Sequence, residues 1–318
     1  MNSTKLLTVE DYENFEYLYN DFYSKAASEY NFELEPIDYS GFLESVEKGI
    51  IECLVLYDNH QIKGFLVYTT AISEAIELNI IHCIEGEYYS VYAQELLNKF
   101  LELTKDLRKR KIVCYPMLGR QKSLISMVVN SGFNFVGTEV LRYKFDNEES
   151  RERFNRARIV QLPKDYKVVD WDNTYFNDVV KILNETFKNT SDALFDPRFT
   201  SITGCRDILQ KVVNDVYAKF LPDATSILLY KNSPIGFTFM NMTGSVVNIP
   251  LVGLLKEHQQ KGLSTIMLKH SMDVILPKEG ITEINTTTET DNLQALRLYK
   301  NLGFIEDYDY PQAYLTIS

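Results

Sequence analysis

The chain repeats itself, and that repeat limits its fold more than any other feature. Residues 54–68 read LVLYDNHQIKGFLVY and residues 227–241 read ILLYKNSPIGFTFMN. Each is an apolar run ending in tyrosine, a polar turn containing asparagine, then isoleucine and a Gly-Phe pair that opens a second apolar run. Apolar, β-rich residues flanking such a turn predict a β-hairpin. A second Gly-Phe pair closes each half, Gly132-Phe133 in VVNSGFNFVG and Gly303-Phe304 in LYKNLGFIED. Gly64 and Gly132 are 68 residues apart, Gly236 and Gly303 67. Two landmarks recurring in register mark an internal duplication rather than two unrelated domains.

The 318 residues leave room for two domains of ordinary size. The charged stretch 146–158 reads as a solvated helix or linker, punctuated by Pro163. It predicts domains at 1–150 and 151–318. In the second half, YKVVDW predicts a strand, NTYFNDVVKILNETF a helix capped by Asn173, and RDILQKVVNDVYAKF a further helix. Residues 226–231 and 235–242 make the hairpin, 245–255 the next strand, and 262 to about 276 a helix ended by Pro277. ITEINTTTE is a strand by its β-branched content, and DNLQALRLYKNLGF is a helix stopped by Gly303 in a left-handed conformation. Helices alternating with strands after an antiparallel hairpin predict an α/β fold with a mixed sheet.

Composition excludes several functions. A net charge of −11 opposes binding to nucleic acid or to an anionic membrane surface, and suits a cationic small molecule or plain solubility. No apolar run spans a bilayer, and the N-terminus lacks the layout of a secretion signal. Cys53, Cys83, Cys114 and Cys205 form no CxxC pair, and His60, His82, His258 and His270 have no ligand spacing. These read as thiols in a reducing compartment, with His258 a solvated loop residue and no metal implied. The cytoplasm is the expected location.

The segment LVGLLKEHQQKGLSTIMLKH, 251–270, hands a strand over to a helix at a glycine. The first N–H groups of a helix lack intrahelical partners, and its N-terminus carries about half a positive charge. Gly262 removes a Cβ from the approach, Ser264 and Thr265 are small hydroxyl residues, and Lys256 and Lys261 add positive charge. Residues 260–265 can therefore wrap a pyrophosphate, or simply make a turn. In the next helix, Asn292 and Tyr299 are seven residues apart and project to nearly the same side. Asn292 is also a good N-cap, and Tyr299 is also one of 21 tyrosines suited to a core. Ala295, Leu298 and Leu302 make that helix's apolar stripe.

Taken jointly, Gln259-x-x-Gly262-x-Ser264, a helix, a strand, and Asn292-x-x-Ala295-x-x-Leu298-Tyr299-x-x-x-Gly303-Phe304 resemble the GCN5-related N-acetyltransferase (GNAT) family. The first part resembles its acetyl-CoA loop, with serine where the family keeps Gly or Ala. The strong resemblance covers residues 226–306. The first half resembles the same fold through its hairpin and NSGFNFVG. The resemblance implies two tandem GNAT-like domains, each a mixed, mostly antiparallel twisted sheet flanked by helices. It implies acetyl-CoA as co-substrate and transfer of acetyl to the amine of a small molecule by direct attack. It places the pantetheine arm along Val252 and Leu254, with a bulge at Pro250. It places the pyrophosphate on Gln260, Lys261, Gly262, Leu263, Ser264 and Thr265, counts Gln259 among the coenzyme-binding residues, and puts Asn292 on the pantetheine arm. Tyr299 is cast as the acid for the departing thiolate, and a backbone N–H around Leu254 or Leu255 as the oxyanion donor.

The strand SVVNIPLVGLL carries no carboxylate where the family often keeps one. Glu283, Glu289, Asp192 and Asp196 are the nearby choices for a base, and a solvent relay is another. A non-catalytic protein of the same fold, binding acyl-CoA or a metabolite, is the alternative. Residues 186–205, with Phe195, Phe199, Asp192, Asp196 and Arg198, are expected to line the acceptor site. By constant offset Gly262 falls near Val91, beside Glu85 and Glu87, and Tyr299 falls on Val128. The first half is thus expected to be a degenerate copy. A monomer or a homodimer is expected.

Overall fold

Two successive left-handed residues turn each duplicated hairpin: Asn59 and His60 at φ of 50° and 62°, Lys231 and Asn232 at 48° and 67°. A two-residue turn of this kind matches the twist of paired strands. Each hairpin also slips register one residue before its glycine, at Lys63 before Gly64 and at Ile235 before Gly236. The duplication therefore extends to the bulges. The structure, a computed structural model, describes residues 2–28, 37–70, 75–105, 107, 112–115, 122–157 and 161–316.

In chain order the first half runs β1 (Ser3–Leu6), α1 (Tyr12–Ser28), α2 (Tyr39–Glu47), β2 (Glu52–Asp58), β3 (Gln61–Thr69), β4 (Ala75–Cys83), α3 (Tyr89–Leu103), β5 (Ile112–Tyr115), α4 (Lys122–Asn130), β6 (Asn134–Lys144) and α5 (Glu148–Arg156). The second half runs β7 (Tyr166–Asp170), α6 (Phe176–Phe187), α7 (Asp192–Phe195), α8 (Ile202–Val213), β8 (Lys219–Phe220), β9 (Ser226–Tyr230), β10 (Ser233–Thr243), β11 (Val246–Leu254), α9 (Leu263–Ile275), β12 (Glu283–Glu289), α10 (Leu293–Asn301) and β13 (Ile305–Thr316).

These elements pack as two units, Met1–Val136 with Tyr310–Ser318, and Gly137–Asp309. In the first, β1 to β4 pair antiparallel and β5 joins β4 in parallel. Phe15, Tyr19, Phe22, Phe42 and Phe65 form a buried cluster on one face, and Leu66, Leu78, Leu96, Leu97 and Phe100 one on the other. In the second, β7, β9, β10 and β11 pair antiparallel, and β12 lies parallel to β11. Phe237, Phe239 and Leu251 pack against α6 and α8, while Met240, Val247, Ile249 and Ile284 pack against α9 and α10. The alternation of strand side chains between two apolar layers explains both sets.

The units do not coincide with a cut of the sequence at residue 150. Residues 138–144 of β6 pair with β12 in the second unit, and residues 313–316 of β13 pair with β5 in the first. Each half gives up its last strand. A strand carries the same alternation whichever neighbour it joins, so no local pattern encodes this exchange.

Several boundaries differ from expectation. Asp172, not Asn173, is the cap: its carboxylate accepts the Thr174 N–H at 2.8 Å and starts a short 3-10 turn before α6. Ser201 caps α8, which starts at Ile202, four residues ahead of the expected start, and ends at Val213. The charged stretch forms α5, capped by Asn147; its last residue, Arg158, lies outside the described residues. Cys53, Cys83 and Cys205 are buried free thiols, and the side chain of Cys114 is outside the described set. Gly303 ends α10 at φ 92°, as expected. A Cβ there would come within 2.2 Å of the Ser150 carbonyl oxygen, so close packing against α5 demands glycine as well.

Two outcomes follow. Gly303→Ala should destabilise the second unit by about 1–3 kcal/mol, read from chemical denaturation, because it adds left-handed strain to a steric clash. Truncation after Asp309 should lower amide protection in β4 and β5 while leaving β9 to β12 unchanged in hydrogen-exchange mass spectrometry. Loss confined to β9 to β12 would contradict the strand assignment.

Candidate functional site

The site begins where a ladder stops. β11 and β12 pair only at Val246 with Glu283, Val247 with Ile284 and Asn248 with Asn285, although β11 runs on to Leu254 and β12 to Glu289. The cause lies on β11's other side. Phe239 pairs with Leu251 but Asn241 with Asn248, so β11 carries an extra residue at 249–250 opposite Met240. Such a bulge bends the strand, and Pro250 has no N–H to extend a ladder. The bulge expected at Pro250 is present.

Register then decides which backbone groups face the gap. The Leu255 N–H donates to the Ile235 carbonyl at 2.9 Å. In an antiparallel pair, alternate residues exchange both bonds, so 255, 253 and 251 face β10. Val252 and Leu254 turn their N–H and C=O groups the other way, to the side β12 has left. The Leu254 carbonyl accepts the Gln259 side-chain amide at 2.9 Å. That leaves the Leu254 N–H and both polar groups of Val252 along the opening. Leu255, offered with Leu254 as an oxyanion donor, is already committed.

The loop after β11 is locally strained. Lys256–His258 form a 3-10 turn, and Gln260 (φ 61°) and Gly262 (φ 74°, ψ 7°) are both left-handed. For Gln260 this conformation costs about 1–3 kcal/mol, the kind of strain found at ligand clamps. No side chain caps α9, so its first amides depend on solvent or a ligand. Residues 259–262 are exposed, Ser264 and Thr265 half-buried. Leu263 is buried among Leu228, Ile235, Leu254 and Met267, which pins the start of the helix.

The side chains near the loop differ in part from expectation. Gln259 braces the strand end instead of facing the loop. The Lys261 ammonium bonds the Glu257 carbonyl at 2.9 Å and lies 3.4 Å from the Tyr166 hydroxyl, so its charge sits beside the turn. His258 is no free loop residue. Its Nδ1 is 2.8 Å from the Tyr166 hydroxyl and its ring packs on Tyr230, while burial and the Lys261 charge lower its pKa. Asn292 caps α10, its carbonyl oxygen accepting the Ala295 N–H at 3.1 Å.

Tyr299 is 6% exposed and packs on Phe304. Thr286 lies near its hydroxyl, and the Thr286 hydroxyl donates to the Ile249 carbonyl at 3.3 Å. Ile249 follows the last paired residue of β11, so the phenol sits at the apex of the opening. Burial pushes its pKa above the usual value, and the charge of Asp192 adds to that. It stays protonated at neutral pH. Thr286 was not singled out in sequence, where it is one of three consecutive threonines.

In the segment 186–205, Phe199 is buried and stacks on Phe187. Arg198 holds Asp196 at 2.8 and 3.0 Å and Asp207 at 2.7 Å. These residues brace the segment. Asp192 remains exposed.

The first unit repeats the bulge but not the loop. Among the described residues β4 pairs with β5 at Ala75, Ile76 and Glu77, and β4 carries an extra residue at Asn79. Cys83 pairs with Gly64 as Leu254 pairs with Gly236. Tyr89 follows Cys83 by six residues, whereas Leu263 follows Leu254 by nine, so the loop is three residues shorter. It holds Glu85 and Glu87, which repel phosphate. Val91, the constant-offset partner of Gly262, is inside α3; Tyr88 occupies the N-cap. Buried Val128 stands where Tyr299 does.

Comparison with known proteins agrees with this geometry. Residues 189–304 match the model of the Acetyltransferase (GNAT) family. No curated protein sequence matches the chain. A GCN5-related N-acetyltransferase from Sphaerobacter thermophilus superposes with a TM-score of 0.67 at 11% identity, over 99% of this chain and 95% of that one. A tandem GNAT protein from the clavulanic acid biosynthesis pathway does so with 0.60 at 12%, over 99% and 98%. A GCN5-related glucosamine N-acetyltransferase region in a fungal multi-domain β-N-acetylglucosaminidase gives 0.66 at 11%, over 99% of this chain and 38% of that one. Residues 189–304 therefore form a GNAT-family acetyltransferase domain, in a chain that takes the tandem GNAT fold throughout.

Proposed function

We propose that this chain is an acetyl-CoA-dependent N-acetyltransferase that acts on the amine of a small molecule in the cytoplasm. The observation that carries the reading is the opened β11–β12 ladder with a protonated phenol at its apex. The residues fit the co-substrate. Val252 and the Leu254 N–H offer a free strand edge to the amides of a pantetheine arm. The strained, uncapped turn at 260–265 offers amides and a helix N-terminus to a diphosphate. Leu263 contributes its backbone and Gln259 its brace. Asn292, already spent on its cap, has only its amide nitrogen left for the arm.

Acetyl-CoA supplies the activated thioester carbonyl. The Leu254 N–H, fixed by its register, is placed to stabilise negative charge on that oxygen. Tyr299, kept neutral by burial, gives its proton to the departing sulfur. The halves 1–150 and 151–318 divide the labour: the second carries this site, and the first keeps the fold with a shortened acidic loop. The rival reading is a non-catalytic acyl-CoA-binding protein, favoured by the lack of any carboxylate on β11.

Gly262→Asp should weaken acetyl-CoA binding by about tenfold or more in calorimetry, since about 1.4 kcal/mol of charge repulsion suffices. Tyr299→Phe should lower kcat in a thiol-release assay by about 10²- to 10⁴-fold with little change in KM for acetyl-CoA. Because the phenol's pKa is raised, the wild-type rate should keep its acid up to at least pH of about 10 and fall only beyond it. Acetyl-CoA binding without thiol release across amines, amino acids, polyamines and aminoglycosides would favour the rival.

A further inference from the structure

The turn assigned to the diphosphate crosses from β11 to α9 with few ties of its own. Its ends are fixed: the Leu255 N–H is bonded to Ile235, and Leu263 is buried. Between them residues 259–262 are exposed, and Gln260 and Gly262 are left-handed. Two side-chain bonds stay local, Gln259 to the Leu254 carbonyl and Lys261 to the Glu257 carbonyl. Among the described residues, every hydrogen bond and ring contact that ties 256–262 to an element other than β11 and α9 ends on Tyr166 or Tyr230.

These two tyrosines form a platform set in the sheet. Tyr166 opens β7 and Tyr230 ends β9; they pair in the antiparallel register, with their rings 4.8 Å apart. The His258 ring lies against both, 5.0 Å from Tyr230 and 5.6 Å edge-on from Tyr166. The polar tips make a chain with one direction. An ammonium group can only donate, so Lys261 gives a hydrogen to the Tyr166 oxygen at 3.4 Å. The phenol's own hydrogen then goes to His258 Nδ1 at 2.8 Å, which accepts it with its lone pair. A neutral imidazole meets that demand, and burial together with the Lys261 charge lowers the His258 pKa. Hydrogen bonds in such a chain polarise and strengthen one another. The first unit has no counterpart. Ser3 pairs with Tyr57 there as Tyr166 pairs with Tyr230 here, and no histidine stands between Cys83 and Tyr89.

We propose that Tyr166 and His258 are positioning residues for the coenzyme: their hydrogen bond clasps the turn to the β7–β9 edge and keeps it in the shape that holds a diphosphate. This rests on the reading of residues 260–265 as the diphosphate site. The clasp acts through the turn and not by touching the ligand. A turn shaped in advance has met its ordering cost in the free protein, which tightens binding without a new contact. Left-handed Gln260 makes that cost appreciable. Released from the platform, the turn relaxes toward unstrained backbone, and the ligand must reorder it.

The test uses the full chain, with coenzyme A titrated in calorimetry and hydrogen exchange of the ligand-free protein read by mass spectrometry. Tyr166→Phe and His258→Phe each keep an aromatic ring on the platform and remove the bond between them. Each should weaken coenzyme A binding by about threefold to tenfold, the worth of a hydrogen bond, and speed exchange over 256–266. The double variant should bind no more weakly than Tyr166→Phe alone, because both changes break one link. His258→Asn loses the ring but sets a carbonyl oxygen near the Nδ1 position, and it should recover part of the affinity lost in His258→Phe. Losses that add in the double variant, or His258→Phe matching wild type while His258→Asn does not, would leave only ring packing and overturn the clasp. Unchanged affinity and exchange in Tyr166→Phe, with wild type binding coenzyme A, would overturn the clasp and spare the diphosphate reading. Faster exchange in Tyr166→Phe with no coenzyme A bound by wild type would sink the diphosphate reading and reduce the clasp to a brace of the fold.

Discussion

The second unit is organised around a parallel ladder that ends after three residue pairs. A sheet normally satisfies its backbone groups by continuing to pair. Here a bulge ending in Pro250 bends β11 off its neighbour, and the edge that remains is left to solvent or a ligand. Every other part of the site takes its meaning from that edge. The strained loop continues from its end, the phenol closes its apex, and α7 is tied across its mouth through Ser191 and Glu289. Without the break, Val252 and Leu254 would be ordinary ladder residues and Tyr299 one more core aromatic.

The first unit keeps the extra residue on the equivalent strand, at Asn79 of β4. A shorter loop with two glutamates stands there in place of the uncapped turn, and buried Val128 in place of the phenol, while the hairpin and its bulge are kept. The fold recurs in this chain without the side chains that mark the candidate site.

Much of the fold was legible because its signals are local. Turn residues, β-branched runs and helix caps marked both hairpins, β11, β12, α9 and α10 to within a few residues. The exchanged strands were not legible: β6 and β13 look like any strand, and partner choice is a tertiary matter. Within the site, Gly262 announced itself because a left-handed residue at a strand-to-helix turn favours glycine. Tyr299 and Asn292 stood out only through their spacing from the loop and the resemblance it supported. Thr286 and Ser191 gave no signal, since their roles depend on partners 37 and 98 residues away in sequence. Treating the halves as offset by a constant placed Gly262 opposite Val91, because the loop of the first half is three residues shorter and its helix starts correspondingly earlier, although the offset is restored by Gly132. His258 looked solvated because nothing local foretells Tyr166 and Tyr230 beside it.

The central claim is that the free edge of β11 and the turn that follows it are where the co-substrate is held. Hydrogen-exchange mass spectrometry with and without coenzyme A addresses it directly. The account requires slowed exchange over residues 251–266 and no change over 83–95 in the first unit. Protection over 83–95, or none over 251–266 at saturating coenzyme A, would contradict it.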